Sequence, residues 1–297
     1  MRWPAVFTAM VTPFDAEGRL ATEEASRLAA WLVAHGTGGL VVAGSTGEGA
    51  TLSDAERERL FRAVREAVPA DVPILVGTGT NDTAVSIARS KAAEQWGADG
   101  VLAVAPYYNK PPQAGLEAHF VAIAQAIGIP VMLYNVPSRT SVAVEPRTVA
   151  RIMERAPNVF AVKESGGNVD GFSQLVEQIP GDRLVYSGDD ILTLPALAVG
   201  AVGVVSVASH VVGDELAAMI AAFGRGDVQT AAALHRRLAP VFRALFVQSN
   251  PIPLKWALNR LGASVGDPRL PLVPADDTAM RPLAAALEAA GVRPIRY

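Results

Sequence analysis

The chain has 297 residues, half of them hydrophobic and 19% charged, with a formal net charge of −3. That length can bury a large core, as one barrel or as two smaller domains. With no cysteine, disulfides, thiolate nucleophiles and cysteine-held zinc or iron–sulfur centres are excluded. The mild charge and the lack of any long Lys/Arg run leave nucleic acid and membrane surfaces without an electrostatic footprint. No uninterrupted apolar stretch would span a bilayer. Met1-Arg2-Trp3-Pro4 lacks the charged-then-apolar pattern of a signal peptide, so a cytoplasmic location is expected. His35, His119, His210 and His235 fall at no recognised metal-ligand spacing. They read as surface or helix-packing residues, and no metal is expected.

Short apolar runs at 5–10, 40–43, 73–77, 100–104, 130–134, 159–163, 184–186 and 203–207 read as strands, most of them separated by one helix-length segment. Eight runs in that order predict repeated βα units: an α/β fold, a (β/α)8 TIM barrel with a C-terminal helical extension. An open doubly wound sheet competes, but rarely takes eight strands so regularly. Between the second and third runs, Ser53 and Glu56 form a capping box. Leu60, Phe61, Val64 and Val68 then recur at helical spacing, and Pro69 ends the helix. Glu145 and Pro146 open the helix before the sixth strand. Asp190 is expected to cap the helix that begins at Ile191. Beyond about Val207 only helices are predicted, near 214–223, 227–246, 252–261 and 276–290, with a loose tail from Gly291. The expected division is a catalytic barrel over 1–225 and a helical subdomain over 226–297.

The chemistry-bearing residues sit just after these strands. The loop Gly44-Ser45-Thr46-Gly47-Glu48-Gly49 offers backbone N–H groups and two hydroxyls to a carboxylate or phosphate, or is an ordinary glycine turn. In Pro106-Tyr107-Tyr108-Asn109-Lys110-Pro111-Pro112, the paired tyrosines suit a proton relay or interface packing. Tyr134 has the parity of Met132 and should face the barrel interior, as a relay group or a core aromatic. Arg139, just beyond, suits a carboxylate with two parallel hydrogen bonds, or is a surface charge. Lys163 ends the run Val159-Phe160-Ala161-Val162. Strict alternation puts Val159, Ala161 and Lys163 on one face. Burial there disfavours an ammonium, and a neutral amine can form an imine with a ketone. The alternatives are a lysine that snorkels outward or pairs with Glu164. Val205-Ser206 adds small groups at the eighth strand end, and Lys255 is the rival nucleophile. Ser45, Thr46, Tyr108, Tyr134, Arg139 and Lys163 share the carboxyl ends of predicted strands, where a barrel keeps its chemistry. Together they describe a lysine-dependent enzyme acting on an anionic ketone.

Several ordered segments resemble the dihydrodipicolinate synthase family of pyruvate-dependent class I aldolases. They are Val11-Thr12-Pro13-Phe14, Gly44-Ser45-Thr46-Gly47-Glu48, Pro106-Tyr107-Tyr108-Asn109, Tyr134-Asn135-Val136-Pro137-Ser138-Arg139-Thr140, Val162-Lys163-Glu164, Ser187-Gly188-Asp189-Asp190 and Asn250-Pro251-Ile252-Pro253. The resemblance runs from Thr8 to about Ala257, and the Tyr134 to Thr140 run selects the synthase branch over the sialic acid lyases. It implies condensation of pyruvate with L-aspartate 4-semialdehyde on a Lys163 imine, with no metal or organic cofactor. It further implies that Tyr134, Ser45 and Tyr108 relay protons, with Tyr108 entering from a neighbouring subunit of a homotetramer (a dimer of dimers). Thr46 would bind the pyruvate carboxylate and Arg139 that of the semialdehyde. Gly188 and Val205 would present backbone carbonyls. The alternatives are a sugar-acid or hydroxy-keto-acid lyase, a dehydratase or decarboxylase using the same imine, and a non-enzymatic pyruvate-binding regulator.

Two departures stand out. Ser45 replaces the threonine common in this branch, keeping the hydroxyl but losing the methyl that limits rotamers. Gly49, Asp54, Arg57 and Val85 replace the polar set of lysine-inhibited members, while Ala50, Asn81 and Tyr107 fit it. Arg57 is expected to repel a ligand ammonium and Val85 to offer it no acceptor, so inhibition by lysine should be weak or absent.

Overall fold

The computed structural model describes residues 3–297. Among the described residues eight strands are present: β1 (Val6–Ala9), β2 (Gly39–Val42), β3 (Ile74–Gly77), β4 (Gly100–Val104), β5 (Val131–Asn135), β6 (Val159–Glu164), β7 (Leu184–Ser187) and β8 (Gly203–Ser206). They follow sequence order round a closed barrel, as the eight apolar runs predict. Nearly every strand residue is buried, on both faces, as parallel strands covered by helices must be. Among the described residues no helix is long and apolar enough to cross a membrane.

By its internal contacts the chain divides into two compact units, one holding the first 72 residues with Ser206–Tyr297, the other Pro73–Val205. In the first, the helix Asp54–Ala67 begins with the expected capping box: Ser53 Oγ accepts from the Glu56 N–H, and the Glu56 carboxylate accepts from the Ser53 N–H. Its apolar stripe, Leu60, Phe61 and Val64, is buried, and it packs against the helix Thr22–Ala34. Beneath β1, the Thr8 hydroxyl meets Thr37 at 2.6 Å and Ser209 at 2.7 Å. The fully buried His210 accepts the Val11 N–H at 3.2 Å. Helices Ser209–Gly224, Val228–Ala244, Ile252–Arg260 and Arg281–Ala289 make up the later part. The expected loose tail is docked: Ile295 is buried and its N–H donates to the Leu261 carbonyl at 2.7 Å.

In the second unit one irregularity sets the site. Val131 pairs with Val159 but Met132 pairs with Ala161, so the register shifts by one residue at Phe160. The strict alternation expected from Val159 onward is therefore broken, because an extra residue in one strand shifts the register. From Ala161 the pairing is regular, and it puts Val104, Tyr134, Lys163 and Tyr186 on one rung of β4 to β7. A second correction concerns the turn after β7. Asp189, not Asp190, caps it, accepting the Ile191 N–H, while Asp190 is buried within the turn.

Candidate active site

Lys163 lies one residue before the carboxyl end of β6 and is only 5% exposed. Its Nζ stands 4.2 Å from the centroid of the Tyr134 ring, its neighbour on the rung. Glu164 is not its partner. The Glu164 carboxylate accepts from Asn135 Nδ2 at 2.8 Å and from the Gly166 N–H. Asn135 in turn accepts the Val144 N–H, which ties the loop after β5 to the same point. Burial pushes the Glu164 carboxyl up from its ordinary range, against those two hydrogen bonds. Snorkelling also fails, since Lys163 is enclosed.

Gly188 explains how the lysine stem fits. A Cβ there would stand 2.9 Å from Lys163 Cε, 3.0 Å from Lys163 Cγ and 2.0 Å from Ser165 Oγ. Only a residue without a side chain lets the β7 loop lie this close to the lysine. The Gly188 N–H donates to the Glu164 carbonyl at 2.7 Å, continuing the ladder past the strand end. Tyr186, fully buried on the rung, has its phenol pushed well up by burial. Val205 is buried in β8. Arg139 is exposed on the short helix Pro137–Thr140 that follows β5.

The tyrosine loop after β4 behaves differently. Asn109 Nδ2 donates to the Asn81 carbonyl at 2.9 Å and the Asn109 N–H to the Tyr107 carbonyl at 2.9 Å, which braces the loop. Tyr108 is nevertheless 89% exposed, with φ +75°. A bulky residue in the left-handed region is strained, so the strain is spent on projecting an aromatic ring outward.

In the other unit the loop after β2 folds on itself. The Glu48 N–H donates to the Ser45 carbonyl and the Gly49 N–H to the Gly44 carbonyl, while Thr12 Oγ1 donates to the Gly47 carbonyl at 2.6 Å. A Cβ on Gly49 would meet the Ala43 carbonyl oxygen at 2.1 Å, so the compact turn requires glycine there. Ser45 is exposed at the tip and Thr46 is buried. The buried Arg57 guanidinium donates to the Ala43 and Gly49 carbonyls from below. It is a brace for the loop rather than an outward-facing repulsive charge, which corrects the role expected for it.

Asn250, Lys255 and Arg269 also hold this loop, although sequence reading assigned no role to Asn250 or Arg269 and cast Lys255 only as a rival nucleophile. Asn250 Nδ2 donates to Thr46 Oγ1 at 2.8 Å. Glu48 pairs with Lys255 at 2.7 Å and accepts the Arg269 N–H at 2.8 Å. Lys255 Nζ also lies 4.2 Å from the Phe14 ring centroid and donates to the Asp267 carbonyl at 3.2 Å. Burial pushes the Lys255 amine down and Glu48 opposes the shift. The rival lysine is thus one half of an ion pair. Its only sequence signal was its nearness to the Asn250-Pro251-Ile252-Pro253 motif.

A lysine amine and a tyrosine ring lie enclosed together at the strand ends of a parallel barrel, an arrangement suited to lysine chemistry. A family model covers nearly the whole chain. The Dihydrodipicolinate synthetase family matches residues 3–290, and the chain belongs to it. The 4-hydroxy-tetrahydrodipicolinate synthase of Moorella thermoacetica is 52% identical over 292 residues, which are 98% of this chain and all of that one. That of Cyanothece sp. is 55% identical over 272 residues, 91% of this chain and 92% of the relative. The crystal structure of DHDPS from Cyanidioschyzon merolae with lysine bound superposes with a TM-score of 0.94 at 45% identity, covering 96% of this chain and 97% of that one.

Proposed function

We propose that the chain condenses pyruvate with L-aspartate 4-semialdehyde to 4-hydroxy-tetrahydrodipicolinate, a step of lysine and diaminopimelate biosynthesis, through an imine on Lys163. The proposal extends to a cytoplasmic homotetramer and to a barrel over 1–225 with a helical subdomain over 226–297. The observation that carries it is Lys163, enclosed against Tyr134 and shaped by Gly188, in a chain half identical to synthases along nearly its whole length.

In this reading the Lys163 amine attacks the ketone carbon of pyruvate, and the resulting carbinolamine loses water to give a protonated imine. The face of the Tyr134 ring favours positive charge at that nitrogen. The imine draws electrons from the methyl group, which loses a proton to become an enamine carbon. That carbon attacks the aldehyde of the second substrate, whose oxygen takes up a proton. The substrate amine then attacks the imine carbon, which closes the ring and frees Lys163. Lysine itself supplies the electrophilic centre, so the reaction calls for no cofactor.

Tyr134, Ser45 and Tyr108 carry the protons. The outward projection of Tyr108 supports its use by a neighbouring subunit, since an exposed, strained aromatic gains by burial in a partner. Thr46 receives the pyruvate carboxylate, Arg139 that of the semialdehyde, and the Gly188 and Val205 carbonyls line the site. Borohydride trapping with pyruvate, followed by peptide mapping, should mark the peptide containing Lys163. An adduct elsewhere, or none, overturns the mechanism. A coupled assay with the semialdehyde tests the second substrate. Arg139→Ala should cripple that reaction, whereas a sugar-acid lyase would be almost unaffected.

A further inference from the structure

The loop after β2 is held from the side by residues some two hundred positions later. Asn250 reaches Thr46 at 2.8 Å, Lys255 reaches Glu48 at 2.7 Å, and the Arg269 N–H reaches the other Glu48 oxygen at 2.8 Å. Two of these three contacts end on a carboxylate that has no surface to face. Asn250 ends instead on the hydroxyl assigned to the pyruvate carboxylate.

We propose that Asn250 is a positioning residue for this reaction: its amide fixes the Thr46 hydroxyl as the donor that meets the keto-acid carboxylate. The proposal rests on the preceding assignment of Thr46 to that carboxylate. A hydroxyl has one proton and can accept as well as donate, whereas an amide N–H can only donate. With Asn250 Nδ2 donating, Thr46 Oγ1 is the acceptor of that bond, and its own proton is directed elsewhere. An ionised carboxylate only accepts, so a hydroxyl held in that sense is already turned the right way for it. Thr46 is 3% exposed and Asn250 6%. Bulk water is therefore poorly placed to replace the contact, and truncation would leave a buried polar atom unsatisfied. The Glu48–Lys255 pair holds the same loop two residues further on, which limits how far Thr46 could shift to compensate. The turn that leads into the helix Ile252–Arg260 thus acts on substrate binding through one side-chain bond.

The test is a steady-state comparison of Thr46→Val, Asn250→Ala, Asn250→Asp, Asn250→His and the double variants with Thr46→Val, with KM for each substrate and kcat measured separately. Asn250→Asp is nearly isosteric but accepts where asparagine donates. It turns the Thr46 proton away and adds negative charge. Pyruvate KM should rise about tenfold or more, the scale of a lost hydrogen bond to a charged group. The semialdehyde KM and kcat should change far less. Asn250→His retains a ring N–H donor and should restore most of the affinity lost in Asn250→Ala. With Thr46→Val present, substitution at Asn250 should have no further effect on pyruvate KM. If Thr46→Val leaves pyruvate KM unchanged, the assignment of Thr46 itself is wrong. If Thr46→Val raises KM but Asn250 variants do not, or raise it by the same factor with and without Thr46→Val, Asn250 does not act through Thr46 and the proposal is overturned. Should Asn250→Ala fail to fold, Asn250→Asp against Asn250→His decides alone: equal pyruvate KM values refute it.

Discussion

Gly188→Ala offers a sharp test of how Lys163 is placed. The added methyl would lie 2.9 and 3.0 Å from two carbons of the lysine stem and 2.0 Å from Ser165 Oγ. Carbon atoms in good contact are about 3.5–4.0 Å apart, so the stem must retreat by about 0.5–1 Å and Ser165 must turn away. A misplacement of about 1 Å at a reacting group can cost on the order of 100-fold in rate, and overpacking a well-filled site costs about 1–3 kcal/mol in stability. The two effects are separable. Gly188→Ala with Ser165→Ala removes the hydroxyl clash but leaves the methyl against the lysine. We expect the single variant to lose both melting temperature and kcat/KM, and the double variant to recover melting temperature alone. Calorimetry reads the first quantity, the coupled condensation assay the second, and borohydride trapping with pyruvate tells whether imine formation is the step slowed. A Gly188→Ala enzyme within twofold of the parent in kcat/KM would refute the argument that this glycine shapes the lysine's position.

Three further outcomes follow from the geometry. Glu48→Gln leaves the Lys255 ammonium buried without its counter-charge and should cost about 3–5 kcal/mol by urea titration, much of it regained in Glu48→Gln with Lys255→Met; equal losses in both would refute the pairing. Glu56 is held at about 2 by Arg269, while His119 and His210 are pushed down to about 4 by burial. All three folded values lie below the ordinary ones, so the unfolded chain binds more protons as pH falls. Stability should then drop from about pH 6.5 downward through the histidines and again from about pH 4.5 toward 2 through Glu56, and Arg269→Met should flatten only the second step in a thermal series. Steady-state assays with L-lysine should show weak or no inhibition, because Val85 is apolar and offers a ligand ammonium no acceptor; sub-millimolar inhibition would contradict this.

Periodicity carried the architecture because parallel strands must be apolar on both faces and helices must alternate with them. That constraint is visible in 100–104 and 159–163 without knowing any contact. The bulge at Phe160 was not visible, because Val-Phe-Ala-Val reads as unbroken alternation and only the partner strand reveals the skipped residue. Asp189 and Asp190 are adjacent and equally good caps by composition; the turn's geometry alone chooses between them. Lys163 and Tyr134 could be singled out because each closes a predicted strand, whereas Gly188 came only from the family resemblance. Asn250 could not be joined to Thr46, since nothing in a linear pattern couples positions 204 residues apart.

The same limit explains why two lysines competed on paper. Lys163 is 5% exposed and Lys255 1%, so burial does not separate them. Their neighbours do. Lys255 has a carboxylate at 2.7 Å, a carbonyl at 3.2 Å and an aromatic face as partners. Its amine is consumed in holding Glu48. Lys163 has the aromatic face, but the acid beside it in sequence points across the strand, where Asn135 and Gly166 occupy it. Alternation along β6 thus does two things at once: it turns Lys163 inward and diverts Glu164 from neutralising it. Because alternation rather than Asn135 keeps the two apart, Asn135→Ala should push the Glu164 carboxyl further up yet leave pyruvate trapping on Lys163 unchanged. Slowed trapping in that variant would show that Glu164 reaches the lysine once Asn135 is gone, and would refute the argument from alternation.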